Sequence, residues 1–445
     1  MFKHLLKDRL TWLALGVTVL LGSLITFSYL GAFLSPASNT RDLPLAVINA
    51  DQGLELAGQK LNYGQQVVDR LMASQPNQSF RWTVLPSREA AVSELNKVNY
   101  YAALIIPPDY SGSLAALGSL KATRPIQLEV LTNQAAGPLA DSAARGIIQA
   151  VVTNISTTTG DQLKQKLQAS AAKVPAEVAG LLNDPVQARF VLSMPVGENS
   201  ARGLSPFYFA LMLILSGFVG TNLLSILVDS YTEKRRKLNK RLNVLDLGQQ
   251  VDHYIEKQQN LIEPQLSALS VFYTKAALYG LMAVGVGLLD TWVAVGLLGM
   301  DAPDWVSLSL FAVFSMLTIN FLALFFQTVF GYHLSLVIGL FFFTILGVPA
   351  SGGPYSLEMV PGLWQFLHLW LPAGHITEGM RALLFMNGNL ESGLGLALLV
   401  LGGYLLGSLV FGWLISFGLT RRNRLAANSA RLSPVTTERV EQVKA

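Results

Sequence analysis

The 445-residue chain has no cysteine, which excludes disulfides, thiol nucleophiles and thiolate metal sites. Charge is scarce as well: Asp, Glu, Lys and Arg make up 13% of the residues, where soluble domains carry about 25%. None of the five histidines lies between residues 35 and 205, so no Ser-His-Asp set can form in that segment. No GxxxxGKS/T sequence is present, so nucleotide phosphates cannot be cradled in a Walker-type loop. Basic residues form short clusters beside apolar runs and no long basic face, which gives nucleic-acid binding no support.

What the chain does have is apolar length. Hydrophobic residues make up 51% of it, and a spanning helix needs about 20 mostly apolar residues. Leu10–Leu34, Phe207–Val228, Ala276–Leu298, Val306–Phe330 and Gly393–Leu419 meet that length, and the shorter Leu334–Ala350 is apolar apart from small hydroxyl residues. The first run exceeds the 7–15 apolar residues of a signal peptide, and Ser35-Pro36-Ala37 is a weak cleavage site, so a retained anchor is expected.

Lys and Arg set the expected orientation. Lys3, Lys7 and Arg9 precede the first run, Lys234 to Arg241 follow the second, and Arg421, Arg422 and Arg424 follow the last. The link MDAPDW between the third and fourth carries two aspartates and no base. The expected architecture is therefore a polytopic α-helical membrane protein with six transmembrane helices and both termini cytoplasmic. It divides into an amphipathic N-terminal helix and first span at 1–34 and an extracytoplasmic α/β domain at 35–205. A second span follows at 206–231, a cytoplasmic loop at 232–268, and spans three to five at 269–350. Extracytoplasmic, re-entrant helices at 351–392, a sixth span at 393–420 and a cytoplasmic tail at 421–445 complete the chain.

Within 35–205, LPLAVIN (43–49), FRWTVL (80–85), YYAALIIP (100–107) and IQLEVLT (126–132) are rich in β-branched and aromatic residues, as strands are. GQQVVDRLMA and SREAAVSELNKV carry apolar residues at helical spacing, with Ser87 as N-cap, and Gly137 to about Ala169 forms one long helix. A mixed sheet results. Asn49-Ala50-Asp51-Gln52-Gly53 has the content of a phosphate or metal loop but lacks the spacing, and Asx with Gly after a strand is ordinarily a turn.

On the expected cytoplasmic side, Met1–Leu10 fits either a short interfacial helix or an ordinary basic flank. The loop Asp229–Ser267 mixes its basic cluster with Leu245, Leu247, Tyr254 and Ile255, an apolar set that suits contact with a cytoplasmic partner. Asn222, Asn320 and Gln327 lie inside runs, either lining a path or bonding between helices. Asp290 is either a functional intramembrane acid or a hydrated interfacial one.

LWLPAGHITEGMR (369–381) is polar in its centre yet bordered by apolar runs. Pro361 and Pro372 each suit a helix first turn, so Gly362–Trp370 and Ala373–Met386 read as two short helices. Trp364, Phe366, Leu367 and Trp370 would face lipid or neighbouring spans, and Glu378 and Arg381, three apart, can pair. A pair of helices too short to span can re-enter a membrane if its elbow is buried in protein. His368, His375 and Glu378 also recur at helical spacing, but no further strong ligand lies nearby in sequence and no metal is expected.

The order of anchor, α/β domain, five further spans and a polar insertion before the last resembles ABC transporter type 2 permeases. LAVINADQG (45–53), LNYGQQVVDRL (61–71) and YYAALIIPPDYSGSL (100–114) are similar to the YhgE/Pip (phage-infection-protein) branch, and residues 351–381 resemble the permease signature. The domain between the early spans is shorter here than in many YhgE/Pip members. The resemblance implies the membrane subunit of an exporter for an amphipathic or lipid-linked substrate in the bacterial cell membrane. ATP would be hydrolysed on separate ABC ATPase subunits, with a second permease subunit completing a dimer. No catalytic residue and no cofactor of its own are expected. Pro361, Trp364, Pro372, His375, Glu378 and Arg381 would form a re-entrant gate, and Leu245, Leu247, Tyr254 and Ile255 the coupling surface. The alternative is a non-transporting envelope scaffold, a phage receptor or a secretion accessory.

Because the chain lacks cysteine, single cysteines can test this topology. Ser119→Cys is expected to react with an impermeant maleimide in intact cells and Asn239→Cys only after permeabilisation; the reverse pattern overturns the orientation.

Overall fold

The computed structural model describes residues 9–33, 40–56, 59–73, 80–169, 174–244 and 267–432. Two units are separable: Met1–Leu211 with Trp292–Leu308 and Ile345–Leu398, and Met212–Thr291 with Ser309–Thr344 and Leu399–Ala445. The first holds helix α1 (Arg9–Phe33) and a five-stranded sheet. Its strands are β1 (Leu43–Asn49), β4 (Phe80–Val84), β5 (Ala102–Ile106), β6 (Ile126–Asn133) and β7 (Val186–Met194), in spatial order β4-β1-β5-β6-β7. All neighbours run parallel except β5 and β6, and the short β2 (Leu54–Leu56) and β3 (Gln59–Leu61) pair with each other.

The four strands expected from composition are present, and the structure adds β7. That strand was hidden by its pattern: it is an edge strand, mostly half-buried, with Gln187 and Arg189 breaking the apolar run. Central strands bury both faces and therefore read as continuous apolar runs, as LPLAVIN and AALII do.

Helices α2 (Tyr63–Ala73), α3 (Arg88–Asn96), α4 (Tyr110–Gly118), α5 (Pro138–Ala169) and α6 (Ala176–Leu181) connect the strands. Crossovers between parallel strands are right-handed. The step β1–α2–β4 moves one way along the sheet and β4–α3–β5 returns past β1, so α2 and α3 must lie on opposite faces. Leu43, Leu45 and Val47 accordingly pack with Val67, Val68 and Leu71 of α2, and Ala46 and Ile48 with Ala91 and Leu95 of α3. Full burial of each Leu, Ile or Val side chain among them is worth about 1.5–3 kcal/mol. Ser87 caps α3 as expected, accepting from the Ala90 N–H at 3.2 Å.

The remaining helices are α7 (Ser205–Val244), α8 (Ala268–Thr291), α9 (Trp305–Gly339), α10 (Gly362–His368), α11 (Pro372–Phe385) and α12 (Leu394–Leu432). Among the described residues, four helices are long and apolar enough to cross a membrane: Ser205–Glu233, Ala268–Leu297, Trp305–Leu346 and Leu394–Leu425. A shorter apolar helix covers Ser23–Phe33. Six spans were expected, and part of the difference lies in Trp305–Leu346, which merges two expected runs. A straight helix of its 42 residues would be roughly 63 Å long, about twice a bilayer's hydrocarbon core. Gly331, at φ 73 and ψ 169, breaks it between Phe330 and Leu334, where the fourth run ends and the fifth begins; glycine adopts such a backbone without steric cost.

In sheets of this winding, ligands occupy the crevice at the carboxyl ends of strands where the direction of winding reverses, here beside β1 and β5. Asp51 fills that place. Its Oδ1 accepts from the N–H groups of Gly53 (3.2 Å) and Ser111 (3.0 Å). Its Oδ2 accepts from the Gly64 N–H at 3.0 Å and from the Ser111 hydroxyl. Two helix starts thus point their free N–H groups at one internal carboxylate, in the manner of a bound anion. Gly64 permits the approach, because a Cβ there would lie 2.7 Å from Asp51 Cβ. The Asn49–Gly53 segment is a structural joint, as the turn expectation holds.

Burial alone would raise the Asp51 carboxyl, but the bonds from Ser111, Gly64 and Gly53 outweigh it and hold it below the usual range. A depressed folded value means that this stabilisation is complete above the ordinary carboxylate pKa and is lost as pH falls through the depressed one. Asp51→Ala leaves three backbone donors unpaired, at about 1–3 kcal/mol for each one that water cannot reach. Thermal unfolding of the purified full chain should show a clear drop in Tm for Asp51→Ala and a flatter acid limb for Asp51→Asn.

Candidate functional site

The polar insertion is built from two short helices. Pro361 precedes α10 as its N-cap and Pro372 occupies the first turn of α11. Both helices belong to the same unit as the sheet, and the contacts that join them are specific. Tyr101 Oη donates to Glu358 Oε2 at 2.8 Å, and the Arg41 N–H donates to the Glu358 carbonyl at 2.9 Å. Ser392 Oγ donates to the Asn96 carbonyl at 2.8 Å, Lys97 pairs with Glu391 at 2.8 Å, and Met359 joins the main apolar core of the sheet. Burial, and then the Glu358 carboxylate, push the Tyr101 hydroxyl well above its usual range.

Inside the hairpin the charge partners differ from expectation. Glu378 was expected to pair with Arg381, three residues on. Instead, His368 Nε2 lies 3.0 Å from Glu378 Oε1 and His375 Nδ1 lies 3.7 Å from Oε2. Arg381 Nη2 donates to the Gly352 carbonyl at 2.8 Å. The cause is the short turn between α10 and α11, which brings His368, the last residue of α10, onto the carboxylate. Gly374 makes the fit possible, since a Cβ there would overlap the His368 ring.

His368 Nδ1 also faces an acceptor, the Ala350 carbonyl at 2.8 Å. Both ring nitrogens therefore meet acceptors, and with Glu378 ionised both must carry hydrogen, so the ring is an imidazolium against a carboxylate. Burial opposes either charge. The bonds and charges of His368, His375 and Arg381 outweigh it at Glu378, which is held at about 2, and the Glu378 contacts raise His368 despite its burial. Of the residues expected to face lipid or neighbouring spans, Trp364 is buried (3% exposed) and Leu367 half-buried, whereas Phe366 and Trp370 are exposed, as are Leu363 and Leu369. Pro372 and His375 are buried.

The polar residues expected inside the spans fall in the second unit. Asn222 Nδ2 bonds back to the Phe218 carbonyl of its own helix at 2.7 Å. Asp290 is half-buried near the end of α8, without a hydrogen-bond or ion-pair partner among the described residues. Asn320 and Gln327 converge on Tyr279: Asn320 Nδ2 donates to its carbonyl at 3.0 Å, and the Tyr279 hydroxyl lies 2.7 Å from Gln327 Oε1 and from the Thr221 carbonyl. The sequence reasoning missed an ion pair, Lys275 Nζ to Asp229 Oδ1 at 2.8 Å, bridged by Ser225. Both residues border apolar runs, directly before Ala276 and directly after Val228, and two opposite charges at adjoining run ends were the available signal. The expected coupling residues Leu245, Leu247, Tyr254 and Ile255, and the N-terminal residues 1–8, lie outside the described residues.

The hairpin makes a stability prediction. Removing one partner of a fully buried ion pair costs about 3–5 kcal/mol. The Glu378 side chain is 24% exposed, so Glu378→Gln should cost less than that, yet still lower the Tm of the purified chain more than Arg381→Ala, which loses a bond to a carbonyl. Exchanging Glu378 and Arg381 should restore nothing. The Glu378 contribution is lost as pH falls from the ordinary carboxylate value toward 2, and the His368 contribution as pH rises from about 6.5 through its raised value. Stability should therefore fall as pH rises above about 6.5, and this fall should vanish in His368→Gln.

Comparison with known proteins covers most of the chain. Residues 175 in number are 25% identical to the uncharacterized protein YhgE of Bacillus subtilis (strain 168), over 38% of this chain and 20% of that relative's length. No solved structure matches. The model of the family described as protein of unknown function (DUF3533) matches residues 15–410, and the chain, with its membrane-grade helices and sheet-bearing N-terminal region, belongs to that family.

Proposed function

We propose that this protein is the membrane subunit of an ABC exporter, moving an amphipathic or lipid-linked substrate outward with energy from separate ATPase subunits. The single observation that carries this is the insertion before the last apolar helix. Residues 362–385 are two helices too short to span, with a buried charge pair between them, held in one unit with the α/β region. Such a hairpin suits a gate at the outer end of a path, because its charge pair is compensated within the protein and the backbone N–H groups of its elbow, Trp370 and Leu371, bond back to the Leu367 carbonyl.

In this reading the α/β region is extracytoplasmic, both termini are cytoplasmic in a bacterial cell membrane, and six spans are reached by counting α1 and dividing the long helix at Gly331. The chain binds no cofactor and performs no catalysis; a second permease subunit completes the path. The coupling surface is Leu245, Leu247, Tyr254 and Ile255, and the Lys275–Asp229 pair joins the two helices that flank that loop.

Affinity purification of the full chain in mild detergent should recover an ATPase carrying a Walker-type loop. Leu245→Asp with Leu247→Asp should abolish that recovery while leaving membrane insertion intact. ATP-driven export by the chain with no second polypeptide would refute the assignment, and recovery of surface molecules with no ATPase would favour the non-transporting scaffold.

A further inference from the structure

At the edge of the sheet nearest the insertion lies a pocket of about 460 Å³, within the size range of small-ligand sites. Arg41, Asp42, Arg81, Glu358, Pro361 and Gln365 line it. Arg81 stands on edge strand β4, in register with Pro44 of β1. Arg41 is held at the mouth by its backbone bond to Glu358. Both guanidinium side chains are exposed, and neither has a carboxylate partner among the described residues. The Glu358 carboxylate is fixed by Tyr101.

A second observation sets the level of the pocket. The apolar helix Ser23–Phe33 ends with the Phe33 ring stacked on Tyr355 at 5.4 Å, three residues before Glu358. On the other side, α10 begins at Gly362, beside Pro361 in the pocket wall, and exposes Leu363 and Phe366, with Leu369 and Trp370 just beyond. Charged pocket and exposed apolar face therefore adjoin where an apolar helix ends, an arrangement that suits the level at which headgroup meets acyl chain.

We propose that this pocket binds the phosphodiester headgroup of a membrane lipid. Arg41 and Arg81 take the phosphate oxygens, and Asp42 and Glu358 accept from hydrogen-bond donors on the headgroup, the hydroxyls of glycerol or the ammonium of ethanolamine. The acyl chains lie along Leu363 and Phe366. Guanidinium groups favour this role because their forked N–H groups match phosphate geometry, and the two carboxylates select against a headgroup without donors, such as choline. The site is independent of the transport reading, since it requires only that this edge of the protein meet a bilayer.

The test is direct binding of short-chain lipids to the purified full chain in detergent, by calorimetry or native mass spectrometry. Dioctanoyl phosphatidylglycerol and dioctanoyl phosphatidylethanolamine should each bind saturably, and dioctanoyl phosphatidylcholine more weakly. Arg41→Ala and Arg81→Ala should each weaken the preferred lipid about ten-fold, as loss of a charge-assisted hydrogen-bonding group does. Because both side chains are exposed, and the Arg41 backbone bond survives in alanine, the variants should keep the parent Tm, checked in the same samples. The proposal fails if the double variant binds equally well or if dioctanoylglycerol, which lacks a headgroup, binds as tightly. It also fails as a lipid site if glycerol 3-phosphate alone binds as tightly as the lipid.

Discussion

Charge buried between apolar helices must be compensated inside the protein, and that requirement organises residues 351–392. Glu378 is surrounded by groups that favour its ionised form: His368, His375 and, at longer range, Arg381. The compensation ties α10 to α11 and, through His368 Nδ1, ties both to the Ala350 carbonyl at the end of the preceding helical stretch. A hairpin held by one imidazolium and one carboxylate is most stable while both are charged. Its integrity is thereby linked to proton activity at the surface it faces.

The same unit resolves a second competition. Its sheet winds in a way that leaves a crevice suited to an anionic ligand, and a carboxylate from the loop itself occupies it. Asp51 turns the N–H groups of two helix starts inward, so the end of the sheet is a rigid joint rather than a mouth. The free surface for recognition moves to the opposite end of the strands. There Arg41 and Arg81 meet the insertion, and Glu358 connects the sheet to α10 through Tyr101.

Among the long apolar helices, polar side chains gather rather than scatter. Asp229, Ser225 and Lys275 form one group and Thr221, Tyr279, Gln327 and Asn320 another, one helical turn away along α7 and α8. In a low-dielectric setting each unpaired polar group is expensive, so clustering lets a few side chains satisfy one another. Asn320 also depends on a small neighbour: a Cβ at Gly217 would come within 2.9 Å of its Oδ1.

The sequence by itself determined the local features. Apolar runs marked the long helices, LPLAVIN and AALII announced buried central strands, Ser87 began α3, and Pro372 began α11, because strand propensity, helix periodicity and capping depend on residues a few positions apart. It also marked the polar hairpin as anomalous. What it did not determine was who partners whom. Spacing along one helix offered Arg381 to Glu378, whereas the fold brought His368 from the preceding helix. The Trp364 ring turned into the protein although its neighbours Leu363 and Phe366 face out. The edge strand β7 and the pairing of Asp229 with Lys275, 46 positions apart, were equally hidden. Only the tertiary structure decided these, because the energy of a buried charge depends on which groups surround it in space, and local spacing does not encode that.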